Sequence, residues 1–396
     1  EAPRTRHLVR GLRVAQRRQR CRLLNTMRSV VDRNIRGAEE TFGAHGDLVF
    51  LDGREITRRD LEDTEVLIIR TATRGNRELL EGTPVAFVGT TSIGTDHLDI
   101  PWLNQAGITW ANAPGCNADS AAQYTLAMIW LALQRTDRDL QGLSAGIIGR
   151  GNVGSRTQRL LQTMGVETVA NDPPLADAGV KGLVSLDEAL DRDIVCLHVP
   201  LTKTGPYPTF RMMARKRLGQ IREGALLVNS ARGNIIDGAA LLDALESGRI
   251  DAALDVWPGE PELDPELLRR TIVATPHVAG YSDDGKRNGT KMVYDAFCAH
   301  SGLSPRPLTE DSGGTLKTTI GLAGDPISQA LESACFVPDH DSQLRNLADQ
   351  QPALISSGFD RLRKEYPFRR DFQGWHLQCS DTTAAKALTA LGFRIN

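Results

Sequence analysis

The sequence predicts an α/β protein built from two doubly wound, Rossmann-like domains and a smaller C-terminal α/β unit. Three observations carry that expectation. From Met27 onward, short β-branched runs alternate with helical stretches in two successive series. The runs are apolar throughout, as expected for parallel strands covered on both faces. A glycine-rich turn then joins a strand to a helix near the start of the second series. At 396 residues, the chain has room for two or three domains of about 150 residues each.

The first series predicts strands at Ser29–Val31, Leu48–Leu51, Val66–Arg70, Val85–Val88 and Ile108–Ala111. Helical segments separate them, such as Thr57–Glu62 behind a threonine N-cap. This series gives a first α/β domain over 27–117. A long helix, Asp119–Arg135, opens the second domain, 118–277. Its strands are expected at Ala145–Gly149, Glu167–Asn171, Asp193–His198, Ala225–Asn229, Ala252–Val256 and Ile272–Ala274. Gly, Pro and Ser crowd Ser301–Thr318, so 304–318 reads as a linker. The last unit, 319–396, offers a helix near Ile327–Ala334, an amphipathic run Phe359–Tyr366, a strand Trp375–Cys379 and a helix Thr382–Leu391.

Composition excludes several classes. Apolar residues make up 40% and charged residues 24%, which is ordinary for a globular chain and unlike a disordered one. The longest apolar run, Leu126–Leu133, is too short to span a bilayer. Residues 1–26 hold eight arginines against one glutamate, so with a whole-chain charge of −2 the remainder is markedly acidic. An acidic body argues against a nucleic-acid partner. The basic start lacks the apolar core of a secretory signal and is read as a disordered tail with no part in the fold. The six cysteines contain no C-x-x-C pair, so neither a zinc site nor a disulfide framework is expected, and no metal. A reducing cytoplasm is the compartment expected.

The glycine turn carries the first chemistry. Gly149-Arg150-Gly151-Asn152-Val153-Gly154 follows the strand AGIIG and opens a helix over Val153–Met164. Gly149 permits the tight turn, Gly151 lets a pyrophosphate reach the backbone, and Gly154 lets helix and strand pack closely. The N–H groups at the helix start, around Asn152 and Val153, face the phosphates. Asp172 ends the next strand. Its carboxylate suits the two ribose hydroxyls of NAD and repels the 2′-phosphate of NADP.

Three further motifs end later strands: Val228-Asn229-Ser230-Ala231-Arg232-Gly233, Asp255-Val256-Trp257-Pro258-Gly259-Glu260-Pro261, and Thr275-Pro276-His277-Val278-Ala279-Gly280. In a doubly wound sheet, ligands gather at the carboxyl ends of the strands, so all three point to one crevice. With the glycine turn and Asp172, these motifs resemble the NAD-dependent D-isomer specific 2-hydroxyacid dehydrogenases over roughly Met27–Leu303. That resemblance implies a substrate-binding domain over 27–117, completed by 278–303, an NAD-binding domain over 118–277, Arg232, Glu260 and His277 as the catalytic trio, and Asp255 among the cofactor contacts. The residue types suit the reaction. A histidine takes the proton as hydride leaves, a carboxylate orients and charges it, and a guanidinium fork holds the substrate carboxylate.

The Asn112–Ala118 turn, the Thr204–Thr209 segment, Trp257 and the run Phe359–Tyr366 narrow the resemblance. They match the branch of that family acting on a phosphorylated four-carbon acid, 4-phospho-D-erythronate, on the way to pyridoxal phosphate. It implies a C-terminal dimerisation domain and hence a homodimer. The substrate carboxylate is then expected at Arg232 and the Ser92-Ile93-Gly94-Thr95 loop, with Ser92, Gly94 and Thr95 as contacts. Arg70 and Arg74 are the candidate phosphate contacts. His97 is weighed both as a substrate-side residue and as a structural histidine. The competing readings are another dehydrogenase of the family, of phosphoglycerate or glyoxylate type, an NAD-responsive binding module, and an inactive structural relative.

Overall fold

The computed structural model describes residues 27–306, 316–320 and 324–396. The basic tail over 1–26 and most of the expected linker lie outside the described residues. The chain divides into two compact units. Among the described residues, one comprises 27–116 and 286–306, the other 117–285, 316–320 and 324–396.

The first unit is a five-stranded parallel sheet: β1 (Arg28–Asp32), β2 (Asp47–Leu51), β3 (Val66–Ile69), β4 (Phe87–Thr90) and β5 (Thr109–Ala111), in the order β2-β1-β3-β4-β5. Side chains alternate across a strand, and both faces here are apolar. Val31, Ile68 and Phe87 join Phe42, Val293, Tyr294 and Phe297 on one side. Val30, Leu67, Ile69 and Val88 join Leu61, Leu80, Leu98 and Leu103 on the other. That two-sided burial is why these strands read as unbroken apolar runs. The segment after Thr57 is a single 3-10 turn, Arg58–Leu61, closed by a capping box between Thr57 and Asp60.

The second unit holds a six-stranded parallel sheet: β6 (Ser144–Ile148), β7 (Glu167–Asn171), β8 (Ile194–Leu197), β9 (Leu226–Asn229), β10 (Asp251–Leu254) and β11 (Val273–Ala274), in the order β11-β10-β9-β8-β6-β7. The chain reverses direction across the sheet between β6 and β8, as in a dinucleotide-binding fold. On one face, Ala145, Ile147, Cys196 and Val228 pack against the helix Ala118–Arg135 through Ala122, Leu126 and Ile129. On the other, Ile148, Leu197, Leu227 and Leu254 meet Leu218, Leu241 and Leu267.

Two expected boundaries move. Val278–Gly285 lie with the second unit. The Val278 and Ala279 amides donate to the Asp255 carboxylate at 2.9 Å, and the Ser282 and Ser120 hydroxyls bond at 2.6 Å. The C-terminal segment also belongs to this unit. It forms a three-stranded parallel sheet, β12 (Leu316–Ile320), β13 (Trp375–Cys379) and β14 (Arg394–Ile395), in the order β12-β13-β14. β12 begins inside the span expected as linker. Leu331, Leu377 and Leu388 extend the first core of the larger sheet, and Leu344, Ile355 and Phe359 extend the second. Each such side chain, fully buried, contributes about 1.5–3 kcal/mol, so this segment is integral to the unit.

The segment also closes a sheet edge. β11 is an edge strand, and an edge amide buried without a partner is costly. Asp341, on the helix Val337–Arg345, accepts from the Ala274 amide at 2.7 Å. Arg345 grips the same carboxylate at 2.9 and 3.0 Å and donates to the Leu268 and Ile272 carbonyls at 3.2 and 3.0 Å. The strand that leads to His277 is therefore fixed from both sides.

Candidate active site

The glycine turn sits just beyond β6. Gly149 has φ +91°, a left-handed value that favours glycine, and a Cβ on Gly154 would lie 2.0 Å from the Gly149 carbonyl oxygen. Helix Asn152–Thr163 therefore starts against the strand it follows. Its N-cap, Gly151, offers no side-chain acceptor, and a Cβ at Gly151 would meet nothing within 4 Å. The first-turn amides of Asn152 and Val153 thus open onto free space, the setting in which a helix start holds a pyrophosphate.

Asp172 ends β7 beside this turn. Its Oδ2 accepts from the Arg150 amide at 2.8 Å and its Oδ1 from the Leu175 amide at 3.1 Å. Each carboxylate oxygen can accept a second bond, so the group retains capacity for ribose hydroxyls. Asp172→Ala is expected to weaken NAD binding about tenfold, the cost of losing hydrogen bonds to a charged group, and to raise the NADP/NAD preference ratio. Dissociation constants for both cofactors measure it, and an unchanged ratio refutes the role.

The other strand ends assemble the remaining groups. After β9, Asn229 is buried, and its side chain locks the loop by donating to the Arg232 carbonyl at 3.0 Å and accepting from the Ala231 amide at 3.1 Å. A Cβ on Gly233 would lie 1.9 Å from the Trp257 carbonyl oxygen, so glycine is required for the β9 loop to pass against the β10 loop. That approach sets Arg232 and Glu260 on adjoining loops. Arg232 is exposed. Its Nη1 donates to the Ala231 carbonyl at 2.7 Å, and its other N–H groups have no partner among the described residues.

Glu260 and His277 meet directly, Nδ1 to Oε1, at 2.5 Å. The second carboxylate oxygen accepts from the Trp257 amide at 2.9 Å. Burial pushes the Glu260 carboxyl up. The bond to His277, the imidazole's charge, the Trp257 amide and the Arg363 charge outweigh that and hold it below the usual carboxylate range. An ionised Glu260 on Nδ1 fixes the tautomer, which leaves Nε2 to work. The His277 side chain is 28% exposed, so the ring is reachable.

Asp255, expected at the cofactor, is buried and ties this turn. It accepts from the Thr275 hydroxyl at 2.7 Å and the Val278 and Ala279 amides at 2.9 Å, while its carbonyl accepts from the His277 amide at 2.7 Å. His277 itself has φ +56°. A non-glycine residue in that region costs about 1–2 kcal/mol, and these bonds hold it there. Asp341 stands in no motif and bonds a main-chain amide of a distant strand, whereas Asn229 and Asp255 stand inside the strand-end motifs and hold loop amides there.

The smaller unit carries the other candidates. Its Ser92–Thr95 loop has its carbonyls engaged: Ser92 by the Ala113 amide at 3.0 Å, Ile93 by the Asn112 side chain at 2.8 Å and Thr95 by the Leu98 amide at 2.9 Å. The amides of Ser92, Ile93, Gly94 and Thr95 donate to no group among the described residues, a row of free donors that suits an anion. Arg70 is bound through Nε and Nη2 to the buried Asp32, at 3.0 and 3.2 Å. Arg74 is exposed and has no partner among the described residues. His97 bonds the Thr90 hydroxyl at 2.9 Å, and burial lowers its pKa. No helix among the described residues is long and apolar enough to cross a membrane, and among them no cluster of three or more His, Cys, Asp or Glu could hold a metal ion.

Comparison with known proteins agrees with this geometry. The profile of the D-isomer specific 2-hydroxyacid dehydrogenase NAD binding domain matches residues 117–279. An erythronate-4-phosphate dehydrogenase of Cellvibrio japonicus is 41% identical, over 93% of this chain and 100% of its own length. One of Escherichia fergusonii is 39% identical, over 93% and 98%. A solved D-lactate dehydrogenase of Treponema pallidum aligns with TM-score 0.57 at 26% identity, over 70% of this chain and 98% of that one. NAD-bound 3-phosphoglycerate dehydrogenase of Entamoeba histolytica aligns with TM-score 0.60, over 72% and 99%, and at 21% identity shares the fold. An NAD-binding domain carrying a His–Glu pair and an open arginine, together with relatives matched end to end, leads to one conclusion: the chain belongs to the erythronate-4-phosphate dehydrogenase family of the NAD-dependent D-isomer specific 2-hydroxyacid dehydrogenases.

Proposed function

We propose that the chain oxidises 4-phospho-D-erythronate to 2-oxo-3-hydroxy-4-phosphobutanoate with NAD, in pyridoxal phosphate biosynthesis. The observation that carries this reading is the His277–Glu260 pair at 2.5 Å on the loops that also position Arg232. When bound, NAD supplies the hydride acceptor. Nε2 of His277 takes the proton of the substrate 2-hydroxyl, and ionised Glu260 stabilises the resulting imidazolium. Arg232 presents parallel N–H groups to the substrate carboxylate and to the oxygen that gains double-bond character. We further propose Gly149, Gly151, Asn152, Val153, Gly154 and Asp172 as cofactor contacts, and Ser92, Gly94 and Thr95 as donors to the substrate.

The test is initial-rate turnover of phosphoerythronate beside 3-phosphoglycerate and glycolate. A kcat/KM at least about tenfold higher for phosphoerythronate, a gap of 1.4 kcal/mol, is expected. Preference for either competitor returns the chain to another branch of the family. NADH binding without turnover of any 2-hydroxy or 2-oxo acid favours a binding module.

A homodimer in the cytoplasm completes the proposal. Leu354 and Phe368, both in the C-terminal segment, are 53% and 46% exposed, apolar side chains that self-association would cover. The free cysteines among the described residues fit a reducing compartment. Light scattering should give twice the 43.2 kDa chain mass.

A further inference from the structure

The C-terminal segment reaches the turn that carries His277. Arg369 is buried and donates from Nη2 to the Ala279 carbonyl at 2.7 Å and the Ser120 carbonyl at 3.1 Å. The Tyr366 ring stands edge-on to that of Tyr281, centroids 5.5 Å apart. Arg363, on the helix Pro352–Lys364, donates from Nη2 to the Tyr281 hydroxyl at 3.3 Å. Tyr281 lies four residues beyond His277 in the chain. Its amide donates to the Val278 carbonyl at 2.8 Å, so it is part of the same turn.

Arg363 is less fully paired than Arg345 and Arg370. Arg345 is saturated by Asp341 and main-chain carbonyls. Arg370 is held by both oxygens of Asp284, at 2.9 and 3.0 Å. For Arg363, the carboxylate contact is Asp360, 3.9 Å from Nη1 and itself 66% exposed. Its Nε is buried with no partner among the described residues. A guanidinium on the face of Phe359, bonded to the hydroxyl of Tyr281 in the turn that carries His277, therefore retains N–H donors near that turn. The Arg363 side chain is 30% exposed, so a stronger anion than the distant, solvated Asp360 can reach its outer N–H groups.

A phosphorylated hydroxy acid carries a second anion at the end away from its carboxylate. Arg232 is suited to the carboxylate, and a phosphate monoester calls for a separate cation and neutral donors. We propose that Arg363 is the specificity residue that binds the substrate's phosphate, next to the Tyr281 hydroxyl it holds. This rests on the substrate reading proposed above. The C-terminal segment thus supplies a substrate contact in addition to its packing role.

The experiment uses the full chain with NAD and compares wild type, Arg363→Gln and Arg363→Lys. Steady-state rates are measured on 4-phospho-D-erythronate and on unphosphorylated D-erythronate. Arg363→Gln is expected to raise KM for the phosphorylated acid about 10- to 100-fold, the range for hydrogen bonds to a charged group. Its kcat should change by less than its KM, and the loss in kcat/KM on D-erythronate should be several-fold smaller than on the phosphorylated acid. Arg363→Lys should recover part of the loss. Inorganic phosphate should compete with the phosphorylated substrate on wild type and fail to do so on Arg363→Gln. NADH affinity and thermal unfolding report on folding. If the glutamine variant does not fold, phosphate competition in wild type and the lysine variant carries the test, and its absence in wild type overturns the proposal.

Equal losses on both substrates, or a fall in kcat with a displaced pH profile, would show that Arg363 acts through Glu260, and would overturn it too. A wild type that does not oxidise phosphoerythronate overturns the substrate reading and this one with it. A wild type that does, with KM unchanged in the glutamine variant, overturns this one alone.

Discussion

His277→Ala should lower kcat about 10²- to 10⁴-fold, the range for removing a general acid–base group, with NADH affinity within about twofold of wild type. The separation follows from where the groups sit. The pyrophosphate and ribose candidates lie at the ends of β6 and β7, whereas His277 follows β11 at the opposite edge of the same sheet. Nothing in the glycine turn is held by the imidazole. The turn that carries His277 is held instead by the Asp255 carboxylate and carbonyl, through the Val278, Ala279 and His277 amides, and an alanine leaves all three bonds in place. Stopped-flow turnover with fluorescence titration of NADH checks the pair of values. Cofactor affinity falling in step with kcat would make His277 a structural residue. Glu260 enters the same expectation. Its carboxyl is held below the usual range, so it stays ionised through neutral pH and supports the imidazolium across the working range.

How much of this was legible in the sequence depends on how local each signal is. The glycine turn, Asp172 and the three strand-end motifs are contiguous patterns, and the parallel sheet brings their ends together by topology alone. Strand limits also read well, within a residue or two, because two-sided burial leaves unbroken apolar runs. What stayed hidden are pairings between distant positions. Arg70 reads as a cation at a strand end, yet the buried Asp32 that binds it lies 38 positions earlier. Asp255 reads as a cofactor contact, and the bonds its two oxygens accept from the Val278 and Ala279 amides of the β11 turn have no trace in the sequence. The C-terminal segment reads as a separate unit because helix and strand signals resume beyond a Gly-, Pro- and Ser-rich stretch, and of its three strands only β13 was legible. Its attachment depends on Asp341 bonding the Ala274 amide of β11 and on Arg369 bonding the Ala279 and Ser120 carbonyls, and a main-chain partner leaves no trace in residue identity.

Arg232→Lys should cost about 10²- to 10³-fold in kcat/KM, the scale for losing an oriented donor at a developing charge, although it conserves charge. The reason is geometric. Asn229 and Gly233 fix the loop on both sides of Arg232, so the side chain starts from a set backbone. One of its five N–H donors is already taken by the Ala231 carbonyl at 2.7 Å, which braces the guanidinium. The others form a planar fork that meets two carboxylate oxygens at once. A lysine ammonium is a point charge on a flexible stem. It cannot brace against Ala231 and also offer two parallel bonds. The loss should therefore divide between KM, from the weaker carboxylate grip, and kcat, from poorer alignment of the 2-hydroxyl with His277 Nε2. A lysine variant within about threefold of wild type in kcat/KM, less than 1 kcal/mol, would mean that charge alone suffices and that the fork is idle. Added guanidinium chloride gives the complementary measurement. It should restore turnover to Arg232→Ala in part, because the pocket that orients the fork survives, and it should leave Arg232→Lys unimproved, because the ammonium already fills the space.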